Sequence, residues 1–364
     1  MRSVPADMTR ALLGALLFWC SGAAAPRLAR YEFSLPQMGT GARIVVFASS
    51  EEAARQSASA GFARIEALDA VMSDYREDSE VAALGRRAGT GPVRVSEDLF
   101  RVLTASQSVS TESSGAFDVT VGPITRLWRR ARRLGEFPDP ARLQTARALT
   151  GRDKLILNPR ERTVTLREPG MQLDLGGIGK GFAADEVVAV LRRHGITSAL
   201  VAIGGDIVAM DAPPGLDGWT VAVADLRGDV APRSILLRDA AVSTSGDTEQ
   251  WVEIGGVRYS HIIDPRTGAP LTRRSSVTVV APTGTLSDAL ATSVSVLGPR
   301  DGLKLVERTS GAAASITIAD PDTVRTETSS DWDKWLCPNR VLPSRVSSFG
   351  VLVGGQRPAR MASF

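Results

Sequence analysis

Apolar side chains at Ala54, Ala58, Phe62, Ile65, Leu68 and Met72 recur every three or four residues, the spacing of a helix that buries one face. Ser49 or Ser50, just ahead of Glu51-Glu52, supplies its cap. Before it, residues 31–47 alternate apolar and polar and read as a strand pair turning at Gly39-Thr-Gly41. Further helices are expected from Ser96-Glu-Asp98 to near Gly115, over 123–134, briefly after Pro138, over 182–193 and over 287–297. Strands are expected at 154–158, 163–167, 173–175, 219–224, 234–237, 277–281 and 314–319. Two hairpins are expected, 199–203 with 207–210 around Gly204-Gly-Asp206, and 249–254 with 257–263 around Gly255-Gly256. Strands and helices mix without regular βαβ alternation, which predicts an α+β fold with a largely antiparallel sheet. No repeat or low-complexity tract interrupts the pattern.

The 364 residues suffice for one large domain or two moderate ones, and 43% apolar content is ordinary for a globular chain. A net charge of +3 is too small at this length to argue for a nucleic-acid partner. The N-terminus differs in composition. Arg2 and Arg10 precede an apolar run from Ala11 to Cys20, too short to span a bilayer, and Ser21-Gly-Ala-Ala-Ala25 follows. Residues 1–25 therefore read as a signal peptide, with Pro26 blocking a cut directly after Ala25. Export to the periplasm is the expectation. Phe18 and Trp19 are bulky where a lipidated Cys20 would want small neighbours. Removing the leader leaves Cys337 as the single thiol, so stability rests on the core. The tail, 338–364, shows no period and is assigned nothing beyond disorder as an expectation.

Three segments carry chemistry. Asp174-Leu-Gly-Gly-Ile-Gly-Lys-Gly181 sets four glycines between an expected strand and a helix; main-chain N–H groups there can face an anion, with Lys180 as a point charge. A plain turn with a structural lysine explains it equally well. Asp288 and Thr292, four apart, share one helix face and suit a hard cation such as Mg²⁺, although Ser287-Asp288 also reads as a helix cap. His261 is one of two histidines and sits at the end of an expected strand, before Asp264-Pro-Arg-Thr-Gly268, preceded by a hydroxyl-rich turn at Ser243-Thr-Ser-Gly-Asp247. Its imidazole is a candidate base, with a structural role as the equal alternative. His194, before Gly195 at a helix end, reads as structural. Arg126, Arg129, Arg130, Arg132 and Arg133 read first as a solvated helix face, second as a docking patch for an acidic surface or anionic lipid.

Taken with Met38-Gly-Thr40, Met72-Ser-Asp-Tyr75, Asp78-Ser-Glu80, Gly115-Ala-Phe-Asp118, Gly204-Gly-Asp206 and Ser245-Gly-Asp247, these segments resemble, in order over about 31–330, the ApbE family of FAD:protein FMN transferases. The resemblance implies an ApbE-like, T-fold-like architecture. It implies Mg²⁺-dependent cleavage of FAD, release of AMP, and transfer of FMN to a Ser or Thr of a partner flavoprotein. That partner would be an Rnf- or Nqr-type subunit or a similar exported redox protein, which leaves room for peripheral association with the inner membrane. Carried over by position, Met38, Tyr75, Ala116, Phe117, Asp118, Asp174, Lys180 and Ile263 line the FAD site. Gly177 (through its carbonyl), Asp288 and Thr292 hold Mg²⁺, and His261 is the base. Ala291 stands where some relatives carry a second Asp, and Gly177 where some carry Ala or a small hydroxyl residue. An FAD pyrophosphatase and a non-catalytic flavin-binding protein are the alternatives.

Overall fold

The computed structural model describes residues 28–337 except 224–225, 227–232, 247–250 and 321. The expected signal peptide, Cys20, Asp247 and the tail 338–364 lie outside the described residues.

Eight strands build the main sheet: β1 (Ala29–Gln37), β2 (Thr40–Ala48), β3 (Ala199–Ile203), β4 (Asp206–Ala209), β5 (Ala240–Gly246), β6 (Arg274–Ala281), β7 (Ala313–Ala319) and β8 (Val324–Thr328). They hydrogen-bond in chain order, and every pair is antiparallel. The fold is thus α+β, as its alternation-free pattern predicted. Among the described residues, seven helices leave this meander: α1 (Glu51–Met72), α2 (Glu80–Arg86), α3 (Glu97–Glu112), α4 (Gly122–Leu134), α5 (Pro140–Ala148), α6 (Gly179–Arg193) and α7 (Gly284–Arg308), the last kinked at Gly298.

The central strands are covered on both faces. Ile44 and Val46 of β2, with Ala199, Val201 and Ile203 of β3, join the core under α1 and α6. Their alternates Val45, Phe47, Leu200 and Ala202 meet Trp219, Ile235, Leu237 and Trp332 on the other side. Phe47 and Trp219 contact edge-to-face at 5.9 Å. Burial on both faces is why these strands read as nearly unbroken apolar runs. In α1 the apolar positions noted above are all buried, and Ser50 accepts the capping bond from the Ala53 N–H.

Several local expectations shift. The first turn is Met38-Gly39, both at positive φ (50° and 69°), one position earlier than expected. Residues 173–175 form no strand. Asp174 N–H donates to Val119 O at 2.8 Å, outside any strand ladder. The hydroxyl-rich stretch from Ser243 is the end of β5, since Ser243, Thr244 and Ser245 pair with β6 instead of turning. His261 lies in a bend between the hairpin strand Val257–Ser260 and the two-residue strand Ile263–Asp264. The α7 cap is Thr283, whose hydroxyl accepts from Leu286 N–H; Ser287-Asp288 lies inside the helix. Strands β5 and β8 and helix α2 were not anticipated. His194 is the cap residue of α6, its Nδ1 3.0 Å from Val190 O, followed by Gly195 at φ 76°, in keeping with a structural role.

α6 and α7 cross with almost no side chain between them. A Cβ on Gly181 would lie 2.0 Å from the Gly284 carbonyl oxygen. Asp185 locks the crossing by accepting from Gly284 N–H (2.7 Å), Thr285 N–H (2.8 Å) and the Thr285 hydroxyl (2.6 Å). Ser287 ties the same helix to β5 through Ser243 Oγ at 2.8 Å. Gly181→Ala is therefore expected to lower stability by about 3 kcal/mol, the upper range for overpacking against backbone. Urea denaturation of the variant checks it; an unchanged midpoint would show that the helices separate freely.

Candidate active site

A cleft of about 1230 Å³ opens where the β1–β2 and β3–β4 turns, the start of α6, the first turns of α7, helix α4 and the His261 bend converge. All twelve residues singled out from the sequence line it: Met38, Tyr75, Ala116, Phe117, Asp118, Asp174, Gly177, Lys180, His261, Ile263, Asp288 and Thr292.

The floor is a charge cluster. Lys180 sits in the first turn of α6, and its Nζ donates to Asp206 Oδ2 at 2.5 Å and lies 3.7 Å from Asp288 Oδ2. Burial opposes the ammonium charge, yet the two carboxylates outweigh it and hold the lysine pKa above its usual value. Burial, then the neighbouring Asp206 charge, pushes Asp288 up to about 7, against the pull of Lys180 and of the Gly181 N–H that donates to it at 3.1 Å. Two carboxylates thus face one ammonium, and Asp288 is the one whose negative charge the site disfavours. Thr292 follows one turn later, its Oγ1 2.9 Å from where a Cβ on Gly177 would stand, with Phe117 packed behind at 3.3 Å. Glycine at 177 keeps that main chain against the hydroxyl.

Among the described residues no three His, Cys, Asp or Glu side chains gather to hold a metal. The donors here are a carboxylate, a hydroxyl and adjoining main chain. That sparse oxygen set fits Mg²⁺, which keeps waters and substrate phosphate oxygens in its shell.

The opposite wall comes from α4, where Thr125, Trp128, Arg129 and Arg132 line the cleft at helical spacing i, i+3, i+4, i+7. Arg129 bridges Asp74 and Asp174, donating to Asp174 Oδ2 at 2.8 Å, and its guanidinium lies 4.3 Å from the centre of the Tyr75 ring. Asp174 Oδ1 also accepts from Gly176 N–H at 2.8 Å, which shapes the glycine turn. Burial and the Asp174 charge raise the Asp74 pKa despite Arg129. Tyr75 is 74% exposed, a bare ring at the cleft mouth. Asp118 is partly committed elsewhere: its Oδ1 accepts from Thr120 N–H (2.9 Å) and hydroxyl (2.7 Å), and burial raises its pKa. Ile263 lines the cleft while packing with Ile124 and Ala146, and Ala116 packs with Ile262 and Val296 beside His261.

Sequence reading missed Arg129, Asp74 and any role for Asp206. Arg129 was hidden in a run of arginines, although the period through Thr125, Trp128 and Arg132 marks its face. Arg129→Met is expected to cost about 2 kcal/mol at pH 7, below the roughly 3–5 of a fully buried pair because the cleft admits water. Two carboxylates are then left facing each other. Protonating Asp74, whose pKa burial and the Asp174 charge already raise, relieves the repulsion, so the deficit shrinks as pH falls from 7 toward 4. Urea midpoints of both proteins across that range check the sign; a deficit growing toward acid would refute it.

Residues 38–316 match the ApbE family. A Treponema pallidum (strain Nichols) protein described as FAD:protein FMN transferase is 36% identical over 321 residues, 83% of this chain and 87% of that protein. A Klebsiella pneumoniae (strain 342) protein of the same description is 32% identical over 339 residues, 88% and 95% of the two chains. Among solved structures, the flavin transferase ApbE from Vibrio cholerae superposes with a TM-score of 0.76 at 29% identity, covering 85% of this chain and all of that one. The apo Pseudomonas stutzeri flavinyl transferase ApbE gives 0.76 at 30% identity, over 86% and 98%. The sequence motifs, the antiparallel sheet with its packed helices, and these matches agree: the chain belongs to the ApbE family.

Proposed function

We propose that the chain is an FAD:protein FMN transferase that moves FMN from FAD to a Ser or Thr hydroxyl of an acceptor protein and releases AMP. The observation that carries this reading is the floor of the cleft: Lys180, Asp206, Asp288 and Thr292 gathered against the Gly177 main chain, in one cleft with His261. A flavin-binding protein needs neither a base nor a charge cluster of this kind.

Phosphoryl transfer asks chiefly for charge neutralisation and in-line positioning. Asp288, Thr292 and the Gly177 carbonyl would hold Mg²⁺, which when bound supplies Lewis-acid neutralisation of the pyrophosphate. Lys180, fixed by Asp206, adds a positive charge beside it. Tyr75, with Arg129 beside it and Asp174 holding Arg129, offers an aromatic face to a flavin or adenine ring; Met38 and Phe117 line the cleft elsewhere. His261 takes the proton of the acceptor hydroxyl, whose oxygen attacks the FMN-side phosphorus as the bond to AMP breaks. His261 is exposed, so water can replace the hydroxyl; hydrolysis to FMN and AMP is the second reading. The leader read from residues 1–25 would put the reaction outside the cytoplasm, on exported redox proteins. No helix among the described residues is long and apolar enough to cross a membrane.

Intact-mass analysis of a candidate acceptor, an Rnf- or Nqr-type subunit incubated with the protein, FAD and Mg²⁺, is expected to show a gain of about 438 Da that EDTA abolishes, one FMN phosphoester. FMN and AMP without the gain would instead establish the hydrolase. His261→Ala is expected to cut transfer by roughly 10²–10⁴-fold while FAD affinity stays unchanged. Transfer surviving at the wild-type rate would remove His261 from the chemistry. Mg²⁺ is expected to raise the thermal midpoint of the wild type and leave that of Asp288→Asn unmoved, since only a site in the folded state couples metal to stability. Equal shifts would place the metal elsewhere.

A further inference from the structure

The candidate base sits where its strand breaks register. Ile263 pairs with Pro270 and Asp264 with Ala269. One step back, Leu271 N–H donates to Ile262 O at 2.9 Å, in the same register. Ser260 N–H donates to Leu271 O at 2.8 Å. Residues 260 and 262 thus share one partner, and His261 between them is put out of the ladder in the manner of a bulge, a device that re-aims a side chain. The Ser260 hydroxyl accepts from Ile262 N–H at 3.1 Å and tightens the bend. His261 itself is exposed, so its direction follows from whatever fixes the two chain segments around it.

One side chain reaches both segments. Trp128 of α4 stacks on Tyr259, two residues before His261, with ring centres 5.7 Å apart and planes 26° apart. Its Nε1–H donates to Gly268 O at 3.0 Å, at the turn that leads into the return strand Ala269–Pro270. It also packs against the buried cluster of Ile124, Ala146 and Ile263, the last two residues beyond His261. Gly268 is itself fixed: its N–H donates to Asp264 O at 2.8 Å, and its φ of 73° is one that glycine adopts readily. Trp128 lines the cleft, yet its stacked face and its one donor are both committed to the chain that carries His261. The next residue, Arg129, bridges Asp74 and Asp174. Two consecutive residues of α4 therefore hold the two sides of the cleft, the His261 bend and the glycine loop that contains Gly177.

We infer that Trp128 is a positioning residue for His261: its stack on Tyr259 and its hydrogen bond to Gly268 fix the bend so that the imidazole reaches the attacking oxygen. The inference rests on the transferase reading, in which His261 is the base. A base has to lie within hydrogen-bond reach of the proton it takes, and a misplacement of about 1 Å costs on the order of 10²-fold in rate.

The test is a double-mutant cycle on AMP release at saturating FAD, which counts transfer to the acceptor subunit and hydrolysis alike. Trp128→Phe, Trp128→Leu and Tyr259→Leu are each made alone and together with His261→Ala. Flavin fluorescence reads FAD affinity and the thermal midpoint reads folding. Trp128→Phe keeps a ring for the stack and loses the donor, and is expected to lower kcat roughly tenfold. Trp128→Leu and Tyr259→Leu lose the stack and should lower it roughly 10²-fold. All three should leave FAD affinity unchanged. In the His261→Ala background each should change the residual rate by less than about twofold, because a residue that acts through the imidazole then has nothing to position. A side chain that merely supports the fold would slow both backgrounds alike. Equal losses in the two backgrounds, a wild-type kcat in the Trp128 variants, or a fall in FAD affinity that accounts for the lost rate overturns the inference. Should Trp128→Leu fail to fold, Trp128→Phe and Tyr259→Leu carry the same comparison. A wild-type rate in His261→Ala alone is a separate result: it removes the base assignment of the transferase reading, and the inference with it.

Discussion

The close crossing of α6 and α7 at Gly181 and Gly284 is the contact on which the site depends. A side chain at either position would push the helices apart, and Lys180 and Asp288 would part with them. Asp185 holds the α7 start against α6, Ser287 holds α7 against β5, and Asp206 at the start of β4 holds Lys180. The floor of the cleft is thus set by main-chain contact and by polar groups already satisfied, which is how a scaffold keeps charged side chains within fractions of an ångström of a working arrangement. Burial of like charges is tolerated there because Lys180 lies between Asp206 and Asp288, and such clusters concentrate at functional sites.

How far this was legible from the residues varied with the physics involved. The α1 stripe and its serine cap, the Gly204-Gly205 hairpin and the antiparallel character of the sheet follow from local periodicity and turn chemistry, and they stand in the structure. Failures occurred where tertiary contact overrides local pattern. Residues 173–175 looked like a strand and belong to no ladder. Ser243–Ser245 looked like a turn because hydroxyls favour turns, yet they pair with β6 and serve α7. Ser287-Asp288 looked like a cap because nothing local reveals that α7 begins a few residues earlier, at Thr283.

The same division holds for the site. The family resemblance named twelve residues that the fold brings to one cleft; from the residues alone only the glycine loop, the Asp288–Thr292 pair and His261 stood out, because such loops and i, i+4 pairs are short-range devices. The Arg129 bridge spans α4, the end of α1 and the glycine loop, and such a contact has no signature within any one of those segments. Asp206 was visible only as part of a turn; its hold on Lys180 emerges once β4 and α6 are neighbours.

The sheet pairs its strands in chain order, and that order has a kinetic consequence. Most neighbouring strands are joined by hairpins or single excursions, whereas β2 and β3 are separated by residues 49–198. Bringing them together closes the longest loop in the sheet, the entropically most demanding pairing. Met38 and Thr40 lie on one side of that seam, Gly204 and Lys180 on the other, with Thr40 and Lys180 both close to Gly204. The pocket for the substrate therefore comes into being only as the slowest-closing seam shuts, so a ligand that bridges the seam acts on the late stage of folding as well as on the finished enzyme.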